Sequence, residues 1–235
     1  MLFMKTVFTL IVAISIVMPA FAAEKWKITS LDWEPYSGKE LPDQGKSIAK
    51  LRQALQSIGI ILEVEFLPWA RAKAMAVQPE YIGYFPAWPE EVNEGFIASP
   101  AVDKSKIAIM APRHICIPDS IDYLFAKHIV GLVKTYKYPE EITEPAKRYE
   151  DNVDQAPDEN SLVQKLIRGR CEVAITDPSV MDYYAKKNGI GNIVVLKQLF
   201  ETPLVLAIRK SEHSDRILKI VTNALERQKT PKSQH

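Results

Sequence analysis

The chain has 235 residues, of which 47% are hydrophobic and 25% are charged, a composition typical of a soluble globular protein and not of a disordered or fibrous chain. Thirty Lys and Arg residues nearly balance 29 Asp and Glu residues, and the formal net charge of +1 gives no reason to expect a nucleic-acid partner. Nine Gly residues against 16 Pro residues disfavour glycine-rich phosphate-binding loops.

The first 22 residues have the pattern of a cleaved export signal. Lys5 supplies the positive charge, an apolar run extends from Val7 to Met18, and the small-residue pattern at residues 20–22 predicts cleavage after Ala22. The apolar run is short for a helix that spans a bilayer, which needs about 20 residues. We therefore expect residues 1–22 to be a signal peptide and the mature chain to be periplasmic.

Strands and helices alternate in the first half of the mature chain. Ile48, Leu51 and Leu55 recur at the spacing of a helix that is packed on one face. The pattern predicts, in chain order, a strand at 26–31, a helix at 47–58, a strand at 60–66, a helix at 70–77 and a strand at 81–85. Such alternation favours an α/β fold with a mostly parallel sheet.

A second α/β unit follows. The predicted elements are an extended segment at 106–111, a strand at 129–134, a helix at 161–168, a strand at 173–176, a helix at 178–188 and a strand at 193–196. A strand at 204–209 and a helix at 215–227 end the chain. The polar, acidic stretch 138–159 is typical of a solvated helix with a surface loop. Two such units predict a two-lobed protein with a cleft.

The sequence lacks the common catalytic and cofactor motifs. The four His residues are scattered without a zinc-binding spacing, and no nucleophile elbow, Walker loop or dinucleotide fingerprint occurs. We therefore expect no cofactor, no metal and no enzymatic activity. Export would place Cys116 and Cys171 in an oxidising compartment, where they could form a disulfide or remain free thiols.

Aromatic and charged residues cluster in the turns that follow the predicted strands. Ligands of open α/β sheets bind at the carboxyl ends of the strands. The candidate ligand-binding residues are therefore Asp32, Trp33, Tyr36, Trp69, Arg71, Trp88, Glu90, Thr135, Tyr136 and Asp177. The same turns also hold Glu34, Tyr84, Glu91, Lys137 and Tyr138.

Four segments in this order resemble the bacterial extracellular solute-binding protein family 3, which supplies polar amino acids to ABC importers. They are Leu31–Tyr36, Phe66–Ala72, Phe85–Glu91 and Gly169–Asp177. The resemblance implies a type II, two-lobed periplasmic binding protein with a two-stranded hinge near Ala111 and Glu201. Lobe 1 would comprise residues 23–111, lobe 2 residues 112–200, and residues 201–235 would return to lobe 1.

The resemblance also assigns roles to site residues. Asp177 matches the position that holds a ligand amine in the family, although Asp before Pro is also a preferred helix cap. Val92 stands where the family has the Arg that binds a ligand carboxylate. Either Arg71 replaces that cation or the ligand is not an α-amino acid. Thr135 begins the corresponding loop of the second lobe, where Tyr136 replaces the usual Gly.

The most direct interpretation is a monomeric periplasmic protein that captures a small polar ligand, an amino acid or a related carboxylate, by hinge closure. Its partner would be an inner-membrane permease. One alternative is a periplasmic sensor module without a transport role. Another is a dehydratase-like enzyme on the same fold, which would need an acid such as Glu34, Glu90 or Asp177 with a raised pKa.

Overall fold

The computed structural model describes residues 24–113, 115–191 and 193–229. The predicted signal peptide lies outside these residues. None of the helices in the described ranges combines the length and the apolar character needed to cross a membrane.

The first lobe is built from three parallel strands with helices between them. Strand β1 (Glu24–Ser30) pairs in parallel with both β2 (Ile60–Phe66) and β3 (Gly83–Ala87). Helix α1 (Lys46–Gln56) connects β1 to β2, and α2 (Trp69–Met75) connects β2 to β3. The predicted face of α1 is confirmed, because Ile48, Leu51 and Leu55 are all fully buried. A short strand, β4 (Phe96–Ala98), follows.

The second lobe repeats this plan. Strand β5 (Asp103–Ala111) enters it. The elements that follow are α3 (Ile121–Lys127), β6 (Val130–Val133), α4 (Glu140–Arg148), β7 (Val153–Ala156), α5 (Glu159–Ile167), β8 (Val173–Thr176) and α6 (Pro178–Lys187). Strand β6 pairs in parallel with both β7 and β8, and β5 pairs antiparallel with β8.

One long strand joins the two lobes. Strand β9 (Val194–Arg209) pairs antiparallel with β5 as far as Leu204, and from Val205 onward it pairs with β3 and β4. The strand order is therefore β2-β1-β3-β9-β5-β8-β6-β7, with β4 also on β9. Helix α7 (Ser214–Lys229) ends the described chain. Strands β5 and β9 are the two-stranded connection, whereas the predicted boundaries at 111/112 and 200/201 stay predictions.

Several elements differ from the sequence-based expectation. The predicted strands 193–196 and 204–209 are parts of the single strand β9, whose middle is only partly buried and lacks an apolar alternation. The acidic stretch 138–159 contains β7 as well as α4, and β7 is a short, mostly polar strand at the sheet edge. Helix α3 lies in a region expected to be a loop, and the Ser120 side chain caps it.

The disulfide between Cys116 and Cys171 is not formed in the structure, where both thiols are free. Cys171 is buried in the second lobe, close beside Gly131, whereas Cys116 is exposed in the segment before α3. Burial raises the pKa of the Cys171 thiol to about 12, so this thiol is unreactive at neutral pH.

Gly83 allows β3 to approach β9 closely. A Cβ atom at this position would lie 1.9 Å from the carbonyl oxygen of Ala207 and 2.9 Å from its carbonyl carbon. Both atoms belong to the backbone of a paired strand, so a side chain could be accommodated only by moving β9. Gly83 is therefore needed where the end of β9 pairs with β3 in the first lobe.

We predict that Gly83→Ala lowers the free energy of unfolding by about 1–3 kcal/mol, the usual cost of overpacking a core. Gly191→Ala is the matched control, because a Cβ at Gly191 meets no atom within 4 Å. Urea denaturation of the two variants and the unmodified chain measures the difference. Equal unfolding midpoints for both variants would contradict the assignment.

Candidate functional site

The carboxyl ends of strands from both lobes meet at one cleft. From the first lobe, the turn after β1 brings Trp33 and Tyr36, and the segment after β3 brings Trp88. From the second lobe, the loop after β6 brings Tyr136, and the turn after β8 brings Asp177. The sequence-based candidates therefore come largely from turns that the fold places opposite one another.

Five aromatic side chains form a continuous cluster across the cleft, which we call the aromatic cluster: Trp33, Tyr36, Trp88, Tyr136 and Tyr138. Trp33 stacks on Tyr36 with ring centroids 4.5 Å apart, and its centroid lies 6.1 Å from that of Trp88. The ring centroids of Trp88 and Tyr136, which belong to different lobes, are 5.3 Å apart. Trp88 also contacts Tyr138 at 5.8 Å. The edge-to-face contact between Trp88 and Tyr136 and the tilted contact between Trp88 and Tyr138 join the two lobes directly.

Glu159, the first residue of α5, connects the lobes by hydrogen bonds. Its Oε1 accepts a 2.7 Å hydrogen bond from Trp33 Nε1 and another from the Tyr136 hydroxyl. The residue is only 3% exposed, and burial raises the pKa of its carboxyl from 4.5 to about 7 against the opposing effect of the two hydrogen bonds. Because both hydrogen bonds end on Oε1, a proton on Oε2 is compatible with them.

Asp177 makes the second connection between the lobes. Its Oδ2 accepts hydrogen bonds from the Tyr36 hydroxyl at 2.8 Å and from the Lys106 backbone at 2.9 Å. Its Oδ1 accepts the backbone N–H groups of Ser179 at 2.7 Å and Val180 at 3.2 Å, which confirms the predicted helix cap. Burial raises the pKa of this carboxyl. Contact between Asp177 and a ligand amine stays a prediction.

A buried acid and a buried cation lie beside Trp69. Glu91 accepts hydrogen bonds from Trp69 Nε1 at 2.7 Å and from the Trp88 backbone at 3.2 Å. Lys73 Nζ lies 3.9 Å from Glu91 Oε1, 3.4 Å from the Thr135 carbonyl oxygen and 4.9 Å from the centroid of the Trp69 ring. Burial raises the pKa of Glu91 and lowers that of Lys73.

Two of the predicted site residues, Arg71 and Glu90, are exposed and line neither of the cavities described below. Arg71 is exposed, and Lys73 is the cation that faces the cleft, because Lys73 is one helical turn from Trp69 on the same side of α2 whereas Arg71 is on the opposite side. Glu90 is exposed as well, and its neighbour Glu91 is the buried acid. Val92 is partly buried and packs against the hydrophobic core.

Further polar contacts cross the cleft at its margins. The Tyr184 hydroxyl donates a hydrogen bond to Glu34 Oε2, and Lys137 Nζ donates one to Asn93 Oδ1 at 2.7 Å. Asp32 is exposed and accepts a 2.8 Å hydrogen bond from the Lys39 backbone. Lys73, Glu159 and Tyr184 were not among the candidates from the sequence. The helical spacing from Trp69 to Lys73 was the available signal for the first of them.

Two adjoining cavities open among these side chains. The inner cavity has a volume of about 10 Å³, room for roughly one water molecule, and is lined by Leu31, Trp33, Trp69, Pro86, Trp88, Glu91 and Tyr136. The outer cavity has a volume of about 490 Å³ and is lined by Leu31, Asp32, residues 66–70, Val133, Thr135, Tyr136, Pro157, Asp158 and Glu159. Leu31, Trp69 and Tyr136 line both, so the inner cavity adjoins the outer one.

Comparison with known proteins finds similarity to solved structures only. No protein-family model matches the chain, and no curated protein matches it. A histidine kinase sensor domain with similarity to periplasmic binding proteins superposes with a TM-score of 0.74 at 16% identity, over 88% of this chain and 91% of that one. The chain has a two-lobed periplasmic-binding-protein-like fold.

Two other structures with this fold are named for amino-acid binding. An ancestral arginine-binding protein bound to arginine has a TM-score of 0.71 at 18% identity, over 87% of this chain and 92% of that one. An ancestral amino-acid-binding protein, described as a precursor of cyclohexadienyl dehydratase, has a TM-score of 0.67 at 19% identity, over 87% and 89% of the two chains. The expected fold class and the resemblance to this group are confirmed at the level of the fold.

The raised pKa of Glu159 predicts a specific pH dependence of stability. A folded-state pKa of about 7 against 4.5 means that the folded chain holds this proton more tightly than the unfolded chain. The contribution of Glu159 is therefore fully present below pH 4.5 and declines as the pH rises through 7. Glu159→Gln stays neutral and keeps an oxygen acceptor, so it avoids this decline.

We predict that the stability difference between Glu159→Gln and the unmodified chain changes in favour of the variant by up to about 3 kcal/mol between pH 4.5 and pH 8. Urea denaturation at both pH values measures it. Glu63→Gln, at an exposed position, serves as the control. The same difference at both pH values for Glu159→Gln would refute the pKa assignment.

Proposed function

We propose that this chain is a periplasmic ligand-binding protein that captures a small polar solute between its lobes and delivers it to an inner-membrane ABC importer. The observation that carries this proposal is the cleft itself, where aromatic and ionisable side chains from strand ends of both lobes surround two adjoining cavities. A cleft of this kind, with apolar walls and few polar groups, is the usual form of a small-molecule site.

Lobe closure supplies the mechanism of capture. The hydrogen bonds from Trp33 to Glu159 and from Tyr36 to Asp177 exist only when the lobes are together. A solute that contacts both lobes favours the same closed arrangement, so its binding energy shifts the equilibrium toward closure. The long strands β5 and β9, which connect the lobes, are the place where the backbone would bend.

A sensor module is the second candidate function. Direct hydrogen bonds between the lobes already stabilise closure, so the balance between open and closed states depends on the chain's own side chains as well as on a solute. The similarity to a histidine kinase sensor domain also favours this alternative. Both functions use the same cleft, and they differ in the partner that reads the closed state.

We propose that the protein binds its solute without converting it, and we favour this over a dehydratase-like activity. Of the acids suggested for catalysis, Asp177 accepts four hydrogen bonds from the chain, Glu90 is exposed, and Glu34 accepts the Tyr184 hydroxyl. A general acid needs access to the substrate at hydrogen-bonding distance. The buried carboxyl groups of Asp177 and Glu34 are thus engaged by the chain, and Glu90 lines neither cavity.

The proposal predicts that a small polar solute binds and that Trp69 contributes to its affinity. Isothermal titration against a panel of amino acids, amines, organic acids and sugars should find at least one ligand, and Trp69→Leu should weaken its binding by tenfold or more, since Trp69 lines both cavities. Tyr123→Ala, at an exposed position on α3, is the control. Absence of binding across the panel, or equal loss in both variants, would contradict the proposal.

A further inference from the structure

We propose that the solute is an organic amine that carries no carboxylate group. This inference rests on the proposed ligand-binding function and specifies the chemical class of the ligand. The protonated amine would lie among the carboxylates and aromatic rings of the two cavities, and its apolar body would extend through the outer cavity.

The charges that line the cavities are all of one sign. Glu91 lines the inner cavity, and Asp32, Asp158 and Glu159 line the outer one. Among the described residues, no Lys, Arg or His lines either cavity. A cation that enters is therefore attracted by the nearest side chains, whereas an anion meets carboxylates.

The cation beside Trp69 is already engaged by the protein. The Lys73 ammonium lies over the Trp69 ring, where Glu91 and the Thr135 carbonyl oxygen compensate its charge. Val92 is apolar, and Arg71 is exposed on the far side of α2. A ligand carboxylate in the cavities would thus be desolvated without a matching cation, which is strongly unfavourable.

The aromatic walls are suited to a cation. Trp33, Trp69, Trp88 and Tyr136 line the inner cavity, and tryptophan faces bind ammonium groups best among aromatic side chains. The chain contains its own example, since the Lys73 ammonium lies 4.9 Å from the centroid of the Trp69 ring. The volume of about 10 Å³ suits a group no larger than an ammonium head.

Glu159 supplies a buried carboxylate oxygen for the amine. It is 3% exposed and lines the outer cavity, and the hydrogen bonds that it accepts from Trp33 across the cleft and from Tyr136 of its own lobe both end on Oε1. Its Oε2 takes part in neither of them. An ionised Glu159 can therefore keep its contacts with Trp33 and Tyr136 and pair with an ammonium through the second oxygen.

Matched pairs of an amino acid and its decarboxylated amine test the proposal. We would titrate the purified chain at pH 8 with arginine and agmatine, with lysine and cadaverine, and with tyrosine and tyramine. The expected result is that, in at least one pair, the amine binds at least tenfold more tightly than the amino acid. Amino acids that bind as tightly as their amines, or more tightly, in every pair would overturn the proposal.

The two proposals fail in different ways. If an acid, a sugar or an amino acid binds while every amine fails, the ligand-binding function stands and the amine assignment is overturned. If nothing binds, both are overturned.

Glu159→Gln adds a test that a merely structural role would not pass. The variant should bind the amine at least tenfold more weakly at pH 8, even though its stability relative to the unmodified chain is more favourable at pH 8 than at pH 4.5. Glu63→Gln, which changes an exposed carboxylate on β2, should leave the affinity unchanged. An unchanged dissociation constant in Glu159→Gln would overturn the role of this carboxylate and the amine assignment with it.

Discussion

The buried carboxylate of Glu159 is the group on which the cleft depends. Its Oε1 accepts one hydrogen bond from Trp33 of the first lobe and one from Tyr136 of the second lobe. These two bonds fix the distance between the turn after β1 and the loop after β6. Burying a carboxylate is costly unless hydrogen bonds or a cation compensate it. The raised pKa expresses that cost, and the aromatic cluster packs around the arrangement it imposes.

Much of the fold could be predicted from the sequence. Helix α1 has apolar residues on one face, and the buried strands are continuous apolar runs, so each pattern indicates both the type of element and the side that is buried. The missed parts lack such a pattern. Strand β7 is polar at a sheet edge, and the middle of β9 connects the lobes through a partly exposed segment. Of the site, the aromatic turn residues could be predicted from their position after strands. Lys73 could not be selected in the same way, because it lies inside α2. Glu159 begins the helix that follows β7, and β7 is a strand that the sequence did not predict.

The net charge of +1 does not indicate which ligand the protein binds, whereas the charges that line the cleft do. Four carboxylates line the cavities, whereas Lys73 is paired with Glu91 and Arg71 is exposed. In a partly desolvated cleft these near charges outweigh the screened charges of the surface. Selectivity for a cation would then follow from the position of these carboxylates in the cleft, although the chain as a whole has no excess of acidic residues.

Side-chain contacts across the cleft hold the lobes together. The most direct measurement is the distance between spin labels at Lys39→Cys and Lys186→Cys, exposed positions on opposite lobes, in a Cys116→Ser background. We predict a single narrow distance distribution for the chain that is otherwise unmodified. With Glu159→Ala and Tyr36→Phe added, we predict a shift to longer and broader distances. Identical distributions with and without these two substitutions would contradict the account.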